Sequence, residues 1–218
     1  MGTFSPHQPL GGYRDRCHDY RSRKHGHRDR RCCRQRWQHS PVLTKDPQKA
    51  SAAIPAATHG TVGEPITSDI VILALPYLAV AEVLSQYTGE LDGKVIVDIT
   101  NPVDFASFDS LVVPVGGSAA TVIAESLPGS SVLKAFNTTF AATLASGTVG
   151  AESTTVLIAG DDADAKAALA AIIEAGGLRA VDAGSLKRAH ELEALGFLQL
   201  TLEAGNKTSW TSGFALAK

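Results

Sequence analysis

The apolar positions of this chain fall in short unbroken runs rather than in alternation, and turn or helix signals separate the runs. Ile70-Val71-Ile72-Leu73-Ala74, Lys94-Val95-Ile96-Val97-Asp98, Ser131–Ala135, Thr154–Ala159 and Leu178–Val181 read as strands buried on both faces, with Val42-Leu43 as an earlier strand end. Helical spacing follows them. One helix is expected to start at Pro47, with others over Val80–Tyr87, Ser118–Leu127 and the Ala-rich stretch Asp161–Ala175, whose first turn carries acids as the helix dipole favours. From Leu186 onward the pattern is mainly helical, interrupted at Gly205 and Gly213. Strand and helix alternate, which predicts an α/β fold: a Rossmann-type, doubly wound parallel sheet with a short helical C-terminal segment. In such a sheet, ligands lie across the carboxyl ends of the strands, so the loops after the strands are where chemistry is expected.

Composition changes the picture at one place. Residues 1–41 hold ten Lys/Arg against three Asp, all three cysteines and five of the seven histidines, without any Ala, Val, Ile or Glu. The remainder holds ten Lys/Arg against nineteen Asp/Glu, so the two parts carry +7 and −9. The expected organisation is therefore an aberrant basic segment over 1–41, a nucleotide-binding domain over 42–185 and a small substrate-side segment over 186–218. No apolar run is long enough to span a membrane, no signal-type h-region opens the chain, and residues 42–218 contain no cysteine. A cytoplasmic protein without disulfides or a membrane partner is expected.

The basic segment admits four readings. Cys17, Cys32 and Cys33 among histidines suggest zinc, but adjacent cysteines are poor partners for one tetrahedral ion, and no metal site is expected. An arginine-rich arm for nucleic acid usually avoids Cys and Trp, and nucleic acid is not the expected partner. A solvated, disordered tail fits the lack of apolar residues. The fourth reading, a neighbouring reading frame, explains more. Shifted by one base, the codons from Cys17 yield small and apolar residues, and Arg21–His27 permit Gly-(Ala/Val)-Gly-(Asn/Ser)-(Met/Thr)-Gly. That is an apolar strand followed by G-x-G-x-x-G, the loop that lays a pyrophosphate on a helix N-terminus. The sequence as written has no such loop, so the chain as given is expected to bind a dinucleotide weakly and to be marginally stable.

The strand-end loops are specific. Thr44-Lys45 follows the expected second strand, where an NAD enzyme usually places an acid; a hydroxyl and a cation suit the 2′-phosphate of NADP, and Lys49 lies one helical turn on. Asp46 beside them leaves NAD open. Leu75-Pro76 offers a stiff apolar backbone, Asp98-Ile99-Thr100-Asn101-Pro102 polar groups and a rigid Pro, and Lys134-Ala135-Phe136-Asn137-Thr138 an aromatic next to an amide. Each could be an ordinary turn, core aromatic or helix cap; their succession at neighbouring strand ends is harder to dismiss.

These loops, with Ala159-Gly160-Asp161-Asp162, resemble the family of NADPH-dependent reductases of the deazaflavin coenzyme, and more distantly pyrroline-5-carboxylate reductase. The resemblance covers Val42 to the end. It implies NADP(H) as cofactor, with 8-hydroxy-5-deazaflavin (factor 420) as the small-molecule redox partner and hydride transfer as the chemistry. Carried over, Thr44, Lys45 and Lys49 match the 2′-phosphate site, and Leu75, Pro76, Asn101, Pro102, Ala135 and Asn137 match the nicotinamide-side loops. Phe136, Gly213 and Phe214 are expected on the substrate side. No acid–base residue is required; His190 is the one candidate, against its reading as a surface helix histidine. The rivals are reduction of an imine or small carbonyl, and NADP binding without turnover. Exposed sheet edges of this fold often pair, which leaves a homodimer open.

Overall fold

The computed structural model describes residues 41–55 and 57–217. The readings of the basic segment lie outside these residues, except that Pro41 already belongs to the first strand. Strand β1 (Pro41–Thr44) leads into helix α1 (Pro47–Ala53), which begins at Pro47 as expected and is capped by the Asp46 carboxylate accepting from the Lys49 N–H at 3.0 Å. Next come β2 (Thr58–Thr61), β3 (Ile70–Leu73), α2 (Tyr77–Leu84), β4 (Val95–Asp98), α3 (Ala119–Ser126) and β5 (Ser131–Ala135). A short helix α4 (Ala141–Ser146) and a small hairpin, β6 (Thr148–Val149) with β7 (Glu152–Ser153), precede β8 (Thr155–Gly160). Helix α5 (Ala163–Ala175), β9 (Arg179–Gly184) and α6 (Ala189–Ala204) complete the order.

The main sheet runs β3-β4-β5-β8-β9, and β1 pairs in parallel with β2 in a separate two-stranded sheet. Among the described residues no strand joins β1 to β3. Pairing is parallel from β3 to β5 and between β8 and β9, but β5 and β8 are antiparallel. The fold class is as expected, and this reversal qualifies it. A parallel connection must carry the chain back along the whole strand. Helix α4, of six residues, reaches only about 9 Å at 1.5 Å per residue, whereas the five-residue β5 is about 17 Å long. The chain instead turns over through the β6–β7 hairpin and re-enters the sheet the other way.

Strand alternation divides the core in two. Ile96 and Val132 join Leu73, Val80, Leu84 and Tyr87 on one face, while Val95, Val97, Leu133 and Ala135 join Leu169 and Ile173 of α5 on the other. Leu43 of β1 packs against the first cluster, and the Gly63 N–H donates to the Tyr87 hydroxyl at 2.7 Å, so the small sheet is tied to the large one through the turn that follows α2. The C-terminal stretch is less helical than expected. After Ala204 the Asn206 N–H bonds to the Glu203 carbonyl (2.8 Å) and the Lys207 N–H to that of Leu202 (2.8 Å), with Asn206 at φ +53°. This paired closure ends the helix and turns the chain away, and residues 207–217 form no helix. No described helix is long and apolar enough to cross a membrane.

Candidate active site

The carboxyl ends of β3, β4 and β5 lie side by side, and the loops leaving β4 and β5 are bonded to each other. The Asn101 amide donates to the Asn137 carbonyl at 2.9 Å. The Asn137 amide nitrogen in turn donates to Asn101 Oδ1 at 3.0 Å and to the Leu192 carbonyl of α6 at 2.8 Å. Between Ala135 and Asn137 the backbone of Phe136 takes φ +62°, a left-handed conformation unfavourable for a residue with a Cβ. It is held by Asn137 N–H to Ala135 O (2.8 Å) and by the Thr139 hydroxyl to Phe136 O (2.7 Å). Strain of this kind collects at sites where the surroundings over-determine the backbone. Ala135, Asn137 and Pro102 are buried, Asn101, Phe136 and Leu75 are half-buried, and Pro76 is exposed at the start of α2.

Beneath these loops lies a buried ionic cluster. Asp98 and Lys134 are directly paired in register on the face that carries Ile96 and Val132, and both are fully buried. The Lys134 ammonium reaches Asp98 Oδ2 at 2.8 Å, the Thr100 carbonyl at 2.6 Å and Glu193 Oε1 of α6 at 2.9 Å. An ammonium has three hydrogens, and here each has an acceptor. Asp98 Oδ1 accepts from the Thr100 N–H (2.8 Å), and the Glu193 carboxylate accepts from the Ala119 and Ala120 N–H groups (2.9 and 3.3 Å) at the start of α3. Burial pushes the Glu193 carboxyl above the ordinary glutamate range, against the pull of Lys134. Burial first, and then Glu193 and Asp98, also hold the Tyr77 phenol above its usual value. Two polar atoms in this region are buried without a partner, Thr100 Oγ1 and Asn137 Oδ1. The sequence names these stretches but assigns Lys134, Asp98 and Glu193 no role. A charge at the inner end of an otherwise apolar strand was the available signal, since such a charge requires a partner.

At the other strand end, Thr44 is half-buried and its hydroxyl accepts from the Asp46 N–H at 3.2 Å. Lys45 is exposed and bridges to Glu82 at 2.9 Å, a surface pair of small energy. Lys49 is exposed on α1. Asp46 caps α1 through one carboxylate oxygen, Oδ1. Phe214 lines a small cleft with Thr138, Thr155 and Leu195, and Gly213 lies near Gln199 and Val149. His190 is exposed on α6, its Nδ1 at 2.9 Å from the Gly117 carbonyl. Among the described residues no group of His, Cys, Asp and Glu is arranged to hold a metal ion.

Comparison with known proteins identifies the family and the fold. Residues 38–102 match the profile of the family "NADP oxidoreductase coenzyme F420-dependent". The F420-dependent NADP reductase of Methanocaldococcus jannaschii is 31% identical over 147 residues, an alignment that covers 66% of each chain. The rat metalloreductase STEAP3 is 29% identical over 155 residues, 71% of this chain but only 30% of its own length. A crystal structure from Arthrobacter sp. FB24, assigned as an F420-dependent NADP reductase, superposes with a TM-score of 0.71 at 23% identity, covering 82% of this chain and 88% of that one, and shows the shared fold. The chain spans about two thirds of the first of these relatives and under a third of the second. It belongs to the family of coenzyme F420-dependent NADP oxidoreductases.

Proposed function

We propose that this chain binds NADP(H) across the carboxyl ends of β1, β3, β4 and β5 and exchanges a hydride with a deazaflavin coenzyme held against the nicotinamide. The observation that carries this reading is the mutual locking of the Asn101 and Asn137 loops beside a strained Phe136, at neighbouring strand ends, in a chain of this family. Thr44, Lys45 and Lys49 would take the 2′-phosphate, for which the Lys45–Glu82 pair is easily exchanged. Leu75, Pro76, Asn101, Pro102, Ala135 and Asn137 would form the wall on which the nicotinamide rests. Thr100 Oγ1 and Asn137 Oδ1, buried without partners, give that wall unspent hydrogen-bonding capacity.

When bound, NADPH would supply a hydride (two electrons and a proton) that the deazaflavin would accept together with a second proton from solvent. The residues contribute orientation and exclusion of water, which is why no general acid is needed. Residues 42–185 serve as the nucleotide unit and 186–218, with Phe136, Gly213 and Phe214, as the acceptor side. Residues 1–41 are, in this reading, the out-of-frame trace of the strand and glycine-rich loop that cradle the pyrophosphate. A cytoplasmic enzyme with a small-molecule partner follows, and sedimentation would read its oligomeric state.

The test is calorimetric titration with NADPH and NADH, followed by turnover of NADPH with the deazaflavin, with a cyclic imine, or with neither. Preference for NADPH and oxidation dependent on deazaflavin are expected. Oxidation with the imine alone would replace this reading by imine reduction, and binding without any turnover would replace it by nucleotide sensing.

A further inference from the structure

The ionic cluster does more than fill space, because each contact of its ammonium ends on a segment that shapes the candidate site. Lys134 is joined to β4 through Asp98, to the loop after β4 through the Thr100 carbonyl, and to α6 through Glu193. Asn101 follows Thr100, and Asn137 lies three residues beyond Lys134. Helix α6 touches both asparagines on the same side. Leu192 accepts from Asn137, and Gly196, one turn past Glu193, brings its backbone so close that a Cβ there would collide with Asn101 Oδ1. A purely apolar filling of this volume would hold the elements together without fixing their relative register. Three directional contacts from one ammonium do fix it.

We propose that Lys134 is a positioning residue: through Asp98, Thr100 and Glu193 its buried ammonium sets the relative placement of the Asn101 and Asn137 loops on which the nicotinamide is seated. The inference rests on the proposed NADP site. It concerns the nicotinamide half alone, since Thr44, Lys45 and Lys49 hang from β1 and α1, with no hydrogen bond or ion pair to the cluster among the described residues.

The experiment compares the full chain with Lys134→Met and Glu193→Gln, using two probes well below each protein's melting temperature. NADPH reports on both halves of the site, and 2′,5′-ADP on the phosphate half alone. Lys134→Met is expected to raise the Kd for NADPH by roughly tenfold while changing that for 2′,5′-ADP by less than about twofold. Glu193→Gln, which keeps the shape and one acceptor oxygen, is expected to show a smaller loss with the same selectivity. The Gln variant keeps the test open if the Met variant does not fold. Equal loss for both probes would mean general loosening, and no loss would mean a structural ion pair; either overturns the positioning role while leaving the NADP site standing. If neither the unchanged chain nor a protein with residues 17–41 restored to the neighbouring frame bound NADPH at millimolar concentration, the proposed function would fall and this inference with it.

Discussion

Gly196→Ala sets two effects of opposite sign against each other. Gly196 lies in the middle of α6, where replacing Gly by Ala in an unobstructed helix stabilises by about 1 kcal/mol. Here the new methyl would meet Asn101 Oδ1 closer than any real contact, and would stand 2.9 Å from both the Nδ2 and the backbone carbonyl of Asn137. The carbonyl cannot swing aside as a side chain can, because it already accepts from Asn101 Nδ2. Either α6 moves outward or the Asn101–Asn137 pair opens. Overpacking of this kind costs about 1–3 kcal/mol, and opening one buried hydrogen bond adds about 1 kcal/mol. Net of the propensity gain, destabilisation of roughly 1–3 kcal/mol is expected. For a chain of this size that is a fall in Tm of about 2–12 °C. Thermal melts by circular dichroism would measure it, with NADPH titration alongside to detect loosening of the loops. An unchanged or raised Tm would refute the reasoning, since helix propensity would then have won and the close approach of α6 to the two asparagines would not exist.

Other expectations follow from the same contacts. Asp162 caps α5 through the Ala165 N–H and accepts from the Ser131 hydroxyl, the larger cause of its lowered pKa, followed by the Ala165 N–H. Asp162→Ala should cost about 1 kcal/mol in urea melts, and Asp162→Asn distinctly less. Because the folded pKa lies below the unfolded value, the charge contribution of Asp162 is present above the ordinary aspartate range and is lost as pH falls through the folded value. The Ala variant should therefore lag the parent least at low pH. Lys45→Ala with Lys49→Ala should weaken NADPH roughly tenfold and leave NADH unchanged, narrowing the preference seen by calorimetry. Lys134→Met leaves two buried carboxylates without their cation, and should lower stability by about 3–5 kcal/mol near neutral pH; equal stability of variant and parent at pH 7 in chemical melts would count against the cluster.

The sequence was most legible where burial dictates composition. Ile70–Leu73, Val95–Asp98 and Ser131–Ala135 are strands within a residue of expectation; Val95–Asp98 and Ser131–Ala135 are largely apolar because they are covered on both faces, whereas Ile70–Leu73 leaves Ile72 exposed, against the expectation of burial on both faces. Strand β2 was illegible since Thr58-His59-Gly60-Thr61 carries no such run, and its pairing comes from β1 alone. Helix α4 and the β6–β7 hairpin are too short to show a period, so the reversal of β8 that they cause could not be foreseen. At the site, the asparagine loops were visible as motifs. That Asn101 bonds to Asn137 and that both rest on Gly196 depends on residues far apart in sequence, as does the union of Asp98, Lys134 and Glu193. Asp46 shows the same limit. Its type suggests a ribose ligand, and its use as the cap of α1 shows only in the structure.

The most direct test of the account is hydride transfer itself, measured in the chain as given and in a protein whose residues 17–41 are restored to the neighbouring frame. Each is mixed with NADPH and oxidised deazaflavin, and loss of the deazaflavin absorbance is followed. The account predicts reduction by NADPH in preference to NADH, with the restored protein faster by about a hundredfold, in keeping with a regained pyrophosphate cradle. A restored protein that folds yet transfers no hydride to the deazaflavin would contradict the central claim, whatever else it binds.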